Sequence, residues 1–138
     1  MKIAIINGPN LNLIGTRETG IYGAETFEHY FATLSRQYPQ VALDYFQSNV
    51  EGELINEIHK AATIVDGIIL NAGAYTHTSL AIGDAVAAIK IPVVEVHISN
   101  IEAREEFRKY SHISAKCAGT IFGFGLKGYG LAVESFLR

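Results

Sequence analysis

Five short apolar runs, separated by amphipathic stretches, constrain this chain more than any other feature. "KIAII" (Lys2–Ile6), "VALDYF" (Val41–Phe46), "DGIILN" (Asp66–Asn71), "PVVEVH" (Pro92–His97) and "GTIFGF" (Gly119–Phe124) are rich in Val, Ile and Phe. Near-continuous apolar runs of this length suit strands buried on both faces. The stretches between them read as helices. Phe27, Tyr30, Phe31 and Leu34 fall on one face of a helix from about Ala24 to Gln37, ended by Pro39. Leu54, Ile55, Ile58 and Ala62 repeat the pattern. Thr78 can cap a third helix running to about Ile89, Ile101–Lys109 suits a fourth, and Gly128–Leu137 a fifth. Strand and helix alternating throughout predict an α/β fold, a parallel sheet with helices on both faces joined by right-handed crossovers.

Five strands favour the flavodoxin-like doubly wound order over the six-stranded dinucleotide fold, and in either case ligands bind beyond the carboxyl ends of the strands. A chain of 138 residues, 49% hydrophobic and 18% charged, is expected to form a single domain over residues 1–138. The net charge of −3, with no Lys/Arg cluster, offers nucleic acid no electrostatic footprint. The apolar runs are too short to span a bilayer, so no membrane role is expected. Cys117 is the single cysteine, which rules out an internal disulfide. With no charged segment ahead of a long apolar stretch, a cytoplasmic location is expected.

The fourth strand carries an anomaly. In "PVVEVHISN" side chains alternate, so Val93, Glu95 and His97 share one face while Val94, Val96 and Ile98 share the other. A buried charge costs several kcal/mol unless it is paired. Glu95 and His97 are therefore expected to bond each other or a third group. A satisfied core pair is the simplest reading.

Polar residues gathered at the strand ends weigh against that simple reading. "NGPNLNLIGTRETGIYG" (Asn7–Gly23) follows the first strand and is long for a connection of this kind, which usually has about 2 to 6 residues. It carries Asn10, Asn12, Arg17, Glu18 and Tyr22, with Gly15, Gly20 and Gly23 as hinge points. "NAGAYTHTS" follows the third strand and brings Asn71, Thr76, His77 and Ser79 to the same rim. After the fourth come Ser99 and Asn100, then Arg104 and Arg108. His29 and His59 lie in amphipathic helices and His112 in a turn-like region, so none of them joins this group. Asp84 is either an ordinary helix-surface carboxylate or a group that meets a neighbouring subunit.

Several chemistries fit these residues poorly. The first connection is neither a GxxxxGK[ST] nor a GxGxxG phosphate cradle, and no tryptophan is present to stack a flavin. A phospho-acceptor domain would need an acidic cluster where this chain has Ile6-Asn7-Gly8. Glu95, His97 and His77 lack metal-ligand spacing, so no metal is expected. Cys117 has no partner that would activate it, and of the lysines only Lys127 stands near the rim. Acid and base chemistry on a small, polar, anionic substrate remains. Glu95 would fix the His97 tautomer and favour its charged form, which suits a general acid. Tyr22 beside Arg17 is a candidate base, since a nearby cation favours phenolate. Asn10, Asn12 and Asn71 can read hydroxyls and carbonyls, and the backbone N–H groups of Ile98 and Ser99 can hold a carboxylate near a helix start.

With these residues in place the chain resembles the type II 3-dehydroquinate dehydratases. "NGPNLNLIGTRETGIYG", "QSNVEGELINEIHKA", "LNAGAYTHTSLAIGDA", "PVVEVHISNIEAREEFRKYS" and "GTIFGFGLKGYGLA" follow that family's order and spacing over nearly the whole chain. The resemblance implies a flavodoxin-like fold, trimers assembled into a dodecamer, and cofactor-free anti elimination of water from 3-dehydroquinate through an enolate. It makes Tyr22 the base, with Arg17 promoting its ionised form and stabilising the transition state. Asn12 would hold the water at the enolate oxygen, and His97, oriented by Glu95, would protonate the departing hydroxyl. Asn71, His77 and Arg108 would read ring hydroxyls, Ile98 and Ser99 the carboxylate, and Asp84 would reach a site across the trimer interface. Val50 stands where many members have histidine, and "AETFEHY" is an unusual opening to the first helix. Both departures bear on packing more than on chemistry. A catalytically silent binding protein and a flavin-binding module are the readings from other classes.

Overall fold

A computed structural model describes residues 1–16 and 24–137. Five strands, β1 (Lys2–Asn7), β2 (Ala42–Gln47), β3 (Gly67–Asn71), β4 (Val93–His97) and β5 (Gly119–Phe122), form one sheet in the order β2-β1-β3-β4-β5. Every pairing is parallel. This is the flavodoxin-like order expected from the strand count, with its switch point between β1 and β3.

Four α-helices cover the sheet: α1 (Phe27–Gln37), α2 (Glu51–Ala61), α3 (Leu80–Ala88) and α4 (Lys127–Phe136). Alternation along the strands divides the core in two. Ile3, Ile5, Ile69, Val94 and Val96 pack with Phe27 and Leu34 of α1 and Tyr129 and Val133 of α4. On the opposite face Ala4, Ile6, Ile68, Leu70 and Val93 pack with Leu54 and Ile58 of α2 and Ile82 and Val86 of α3. Burying each such aliphatic side chain contributes about 1.5–3 kcal/mol, enough to fix which face of each strand turns to which pair of helices. β4 breaks the pattern on the second face. After Val93 it presents Glu95, fully buried, and His97, 5% exposed.

The helix ends differ from expectation in instructive ways. Thr26 caps α1, its hydroxyl accepting from His29 N–H at 3.2 Å, so the helix starts at Phe27, the first residue of its apolar face, three residues after the expected Ala24. Ser79 rather than Thr78 caps α3, accepting from Ile82 N–H at 2.9 Å. Thr78 instead closes the preceding 3-10 turn, Gly73–His77, by bonding to the Tyr75 carbonyl. The expected fourth helix does not form. Ile101–Ala103 and Glu106–Lys109 are two short 3-10 turns, separated by Arg104 and Glu105 in extended conformation. The break sets Glu105 between two arginines, 3.8 Å from Arg104 Nε and 3.0 Å from Arg108 Nε. With no α-helix there, the helix-dipole contribution expected at Ile98 and Ser99 is lost.

One glycine is set by close approach. A Cβ at Gly8 would lie 2.5 Å from the Ala72 carbonyl oxygen, so only glycine lets the exits of β1 and β3 run side by side. Gly8 N–H donates to the Asn71 carbonyl at 2.7 Å, which ties the two exits together.

Candidate active site

Beyond the carboxyl ends of β1, β3 and β4 lies a cavity of about 170 Å³. Each connection contributes to its wall: Asn10 and Leu11 after β1, Asn71 and His77 from β3 and its turn, and His97, Ile98, Ser99, Ile101, Arg104 and Arg108 from the end of β4 onward. Asn10, Asn71, His77, His97, Ile98, Ser99 and Arg108, anticipated from the sequence, all line it. So does Arg104, which the sequence places on the same segment without a role. Its spacing of four residues from Arg108 was the available signal.

At the inner end, His97 Nε2 lies 2.5 Å from Glu95 Oε2. The Glu95 carboxylate also accepts from three hydroxyls, those of Ser111, Ser114 and Thr120. Burial alone would raise the Glu95 pKa. The hydrogen bonds from His97, Ser114 and Thr120 outweigh it and hold the carboxyl below the usual glutamate value. The group is therefore an anion at neutral pH. With Nε2 engaged, His97 keeps its other ring nitrogen, Nδ1, for a ligand.

His77 stacks beside His97, ring centroids 6.2 Å apart and planes 23° from parallel. Its Nδ1 meets the Tyr110 carbonyl at 2.7 Å and must be the donor. Burial lowers its pKa below the ordinary imidazole value, and His97 and Arg108 add to the effect against the Tyr110 carbonyl. A neutral ring donating through Nδ1 presents Nε2 as an acceptor, which is what reading a hydroxyl requires.

Asn71 is held from behind. Its amide Nδ2 donates to the Tyr129 hydroxyl at 2.9 Å, and its Oδ1 accepts from Gly73 N–H at 3.1 Å. Tyr129 is fully buried, and its own proton goes to Asn7 Oδ1 at 2.8 Å. Asn7 and Asn71 are register partners in the sheet, so α4 clamps the ends of β1 and β3 through one hydroxyl. That leaves one Asn71 N–H for a ligand.

Two other anticipated residues lie elsewhere. Asn12 sits exposed in the 3-10 turn Leu11–Leu13 and is not among the residues that line the cavity. Asp84 is exposed on α3, its carboxylate 3.7 Å from Lys116 Nζ, and is likewise absent from the cavity wall. Arg17 and Tyr22 fall outside the described residues. Cys117 is no nucleophile: burial, with Glu95 nearby, pushes its thiol up to about 12. Among the described residues no group of three or more His, Cys, Asp or Glu side chains could hold a metal ion, and no helix is long and apolar enough to cross a membrane.

An open α/β sheet with a buried acid–imidazole pair, two arginines and an amide at its switch point defines an enzyme-like site for a small, oxygen-rich anion. The comparisons with known proteins make that class specific. Residues 1–137 match the family described as dehydroquinase class II, and the chain belongs to it. It is 53% identical over 140 residues to the 3-dehydroquinate dehydratase of Campylobacter jejuni subsp. jejuni serotype O:23/36, covering all of this chain and 88% of that one. The 3-dehydroquinate dehydratase of Caldicellulosiruptor saccharolyticus is 54% identical over 135 residues, covering 96% of this chain and 93% of the other. The crystal structure of type II dehydroquinase from Butyrivibrio crossotus DSM 2876 superposes with a TM-score of 0.96 at 45% identity, covering 100% and 98% of the two chains.

Proposed function

We propose that this chain is a type II 3-dehydroquinate dehydratase, which removes water from 3-dehydroquinate in the anti sense through an enolate and without a cofactor. The observation that carries the reading is the buried Glu95–His97 pair opening onto a cavity flanked by Arg104 and Arg108, in a chain of this family.

Tyr22, as phenolate beside Arg17, takes the C2 proton, and the electron pair moves onto the ketone oxygen as an enolate. Arg17 stabilises this transition state, and Asn12 holds the water that bonds the enolate oxygen. The enolate then re-forms its carbonyl and expels the hydroxyl group, which His97 protonates, so that the net loss is one water. Glu95 compensates the positive charge carried by His97 before that transfer. Asn71, His77 and Arg108 read the ring hydroxyls, while Ile98 and Ser99 receive the carboxylate, with Asn10 beside them on the wall. The reaction belongs to the shikimate route to the aromatic amino acids, and the chain works there in the cytoplasm.

Assembly into trimers that build a dodecamer completes the proposal, with Asp84 reaching the site of a neighbouring subunit. A compact particle many times the chain mass of 15.0 kDa is expected on sizing. A fully active monomer would overturn the assembly. For the reaction itself, the test is addition of 3-dehydroquinate to the purified chain while the absorbance of the conjugated product is followed. A steady rise is expected. Substrate binding without any rise would reduce the chain to a silent binding protein.

A further inference from the structure

We propose that Ser111, Ser114 and Thr120 are positioning residues, whose hydroxyls lock the Glu95 carboxylate in the one orientation that presents Oε2 to His97. The inference rests on the functional reading above, because it assigns those hydroxyls a part in the same step.

A carboxylate has about four lone-pair sites. Here each has a donor, and the donors come from three different parts of the chain. Oε1 accepts from Ser114 and from Thr120, the latter at 3.3 Å, while Oε2 accepts from His97 at 2.5 Å and from Ser111 at 3.4 Å. His97 lies on the same strand as Glu95. Thr120 stands directly across from Glu95 on β5, its register partner in the sheet. Ser111 and Ser114 belong to the segment that runs over this face into the 3-10 turn Ser114–Lys116.

Ser111 fixes the direction of its own bond. Its oxygen accepts from Ile113 N–H and Ser114 N–H, both at 3.0 Å, so its single proton is left for Glu95 Oε2. The turn that orders the segment therefore also aims the hydroxyl. None of the three is among the residues that line the cavity, so none needs to touch substrate. Among the described residues, the titratable groups besides His97 that act electrostatically on Glu95 or feel it are His77, in the turn after β3, and Cys117, just before β5. The Cys117 thiol stays neutral, and His77 commits its Nδ1 to the Tyr110 carbonyl rather than to Glu95. Orientation of the carboxylate is thus left to the three hydroxyls. Without them it can rotate, and the line from Oε2 to His97 is no longer defined.

The test compares Ser114→Ala, Thr120→Val and their double variant with the hydroxyl-retaining Ser114→Thr and Thr120→Ser. Thr120→Val is nearly isosteric and carries the comparison should loss of Ser114 prevent folding. Two quantities are read: the far-downfield proton signal of the His97–Glu95 hydrogen bond by NMR, and kcat and KM with 3-dehydroquinate. In the double variant the signal should broaden or move upfield, and kcat should fall about tenfold with KM within about twofold of the parent. The hydroxyl-retaining variants should keep both. A signal at the parent's shift and intensity in folded variants overturns the proposal, as does a parental kcat with the signal lost. Turnover by the parent chain tests the functional reading separately: were the parent inactive, the NMR signal would still decide whether the hydroxyls position Glu95.

Discussion

His97 Nε2 sits 2.5 Å from Glu95 Oε2, on the face of β4 that Val93 shares with the aliphatic residues Ile6, Ile68 and Leu70 of the neighbouring strands. The pair occupies core positions, yet His97 also lines the cavity. A group that is buried on one side and open to a ligand on the other can transfer a proton without exchanging it freely with water. His97→Ala is expected to lower kcat by at least ~10²-fold, the lower range for a positioned acid. Glu95→Gln should weaken the same step with little change in KM. Parental rates in both variants would return the pair to a purely structural role.

Tyr22→Phe should leave substrate affinity nearly intact and cost at least ~10²-fold in turnover, as expected for loss of a positioned base. Arg17→Ala should depress turnover through the ionisation of Tyr22, with an unchanged fold by circular dichroism. Full activity in either variant would remove that residue from the mechanism.

The Tyr129 hydroxyl bridges Asn7 and Asn71 in a fully buried position. Tyr129→Phe leaves an amide donor and an amide acceptor without their partner, at a cost of about 1–3 kcal/mol for each group left unsatisfied. Urea unfolding should show a lower midpoint with an unchanged slope. A midpoint at the parent's value would mean that the two amides find each other once the hydroxyl is gone.

Glu95 also makes stability depend on pH. Its folded pKa is held below the ordinary glutamate value. A depressed carboxyl pKa contributes stability that is present above the unfolded value and lost as pH falls through the folded one. As pH falls below about 5 the unfolding free energy of the parent should therefore drop more steeply than that of Glu95→Gln. Equal slopes would show that His97, Ser114 and Thr120 do not favour the anion.

The proposed elimination calls for no covalent link to the ketone, and Lys127, the lysine nearest the rim by sequence, opens α4 and is not part of the cavity wall. Incubation with 3-dehydroquinate and borohydride, which reduces imines irreversibly, should leave activity intact and add no mass to the chain. A mass increase on Lys127 would replace the enolate by an imine.

Much of this protein is written locally. The sheet was legible because fully buried strands such as Ile3–Ile6 and Ile68–Leu70 must be apolar on both faces, and because one-residue alternation assigns each side chain to a face. Glu95 and His97 stood out for the same reason: a charged and an ionisable group interrupt a strand whose other members, Val93, Val94 and Val96, are aliphatic. Family membership was legible too, since the motif order spans nearly the whole chain.

Helix ends and bond partners were settled elsewhere. Thr78 and Ser79 are both competent caps; the Thr78 N–H closes the preceding 3-10 turn, and Ser79, one residue on, makes the capping bond to Ile82 N–H. Ile101–Lys109 has a helical pattern, but Arg104 and Glu105 extend, with Glu105 paired to both arginines. No periodicity announces that Ser111, Ser114 and Thr120 meet Glu95, 16 to 25 residues away along the chain. Nor does any announce that Tyr129 reaches Asn7 across 122 residues. Periodicity reports what a residue does relative to its neighbours in sequence, because burial acts on a face. Hydrogen-bond partners depend on which distant segments the packed sheet brings within about 3 Å, and that distance exists only after the chain has folded.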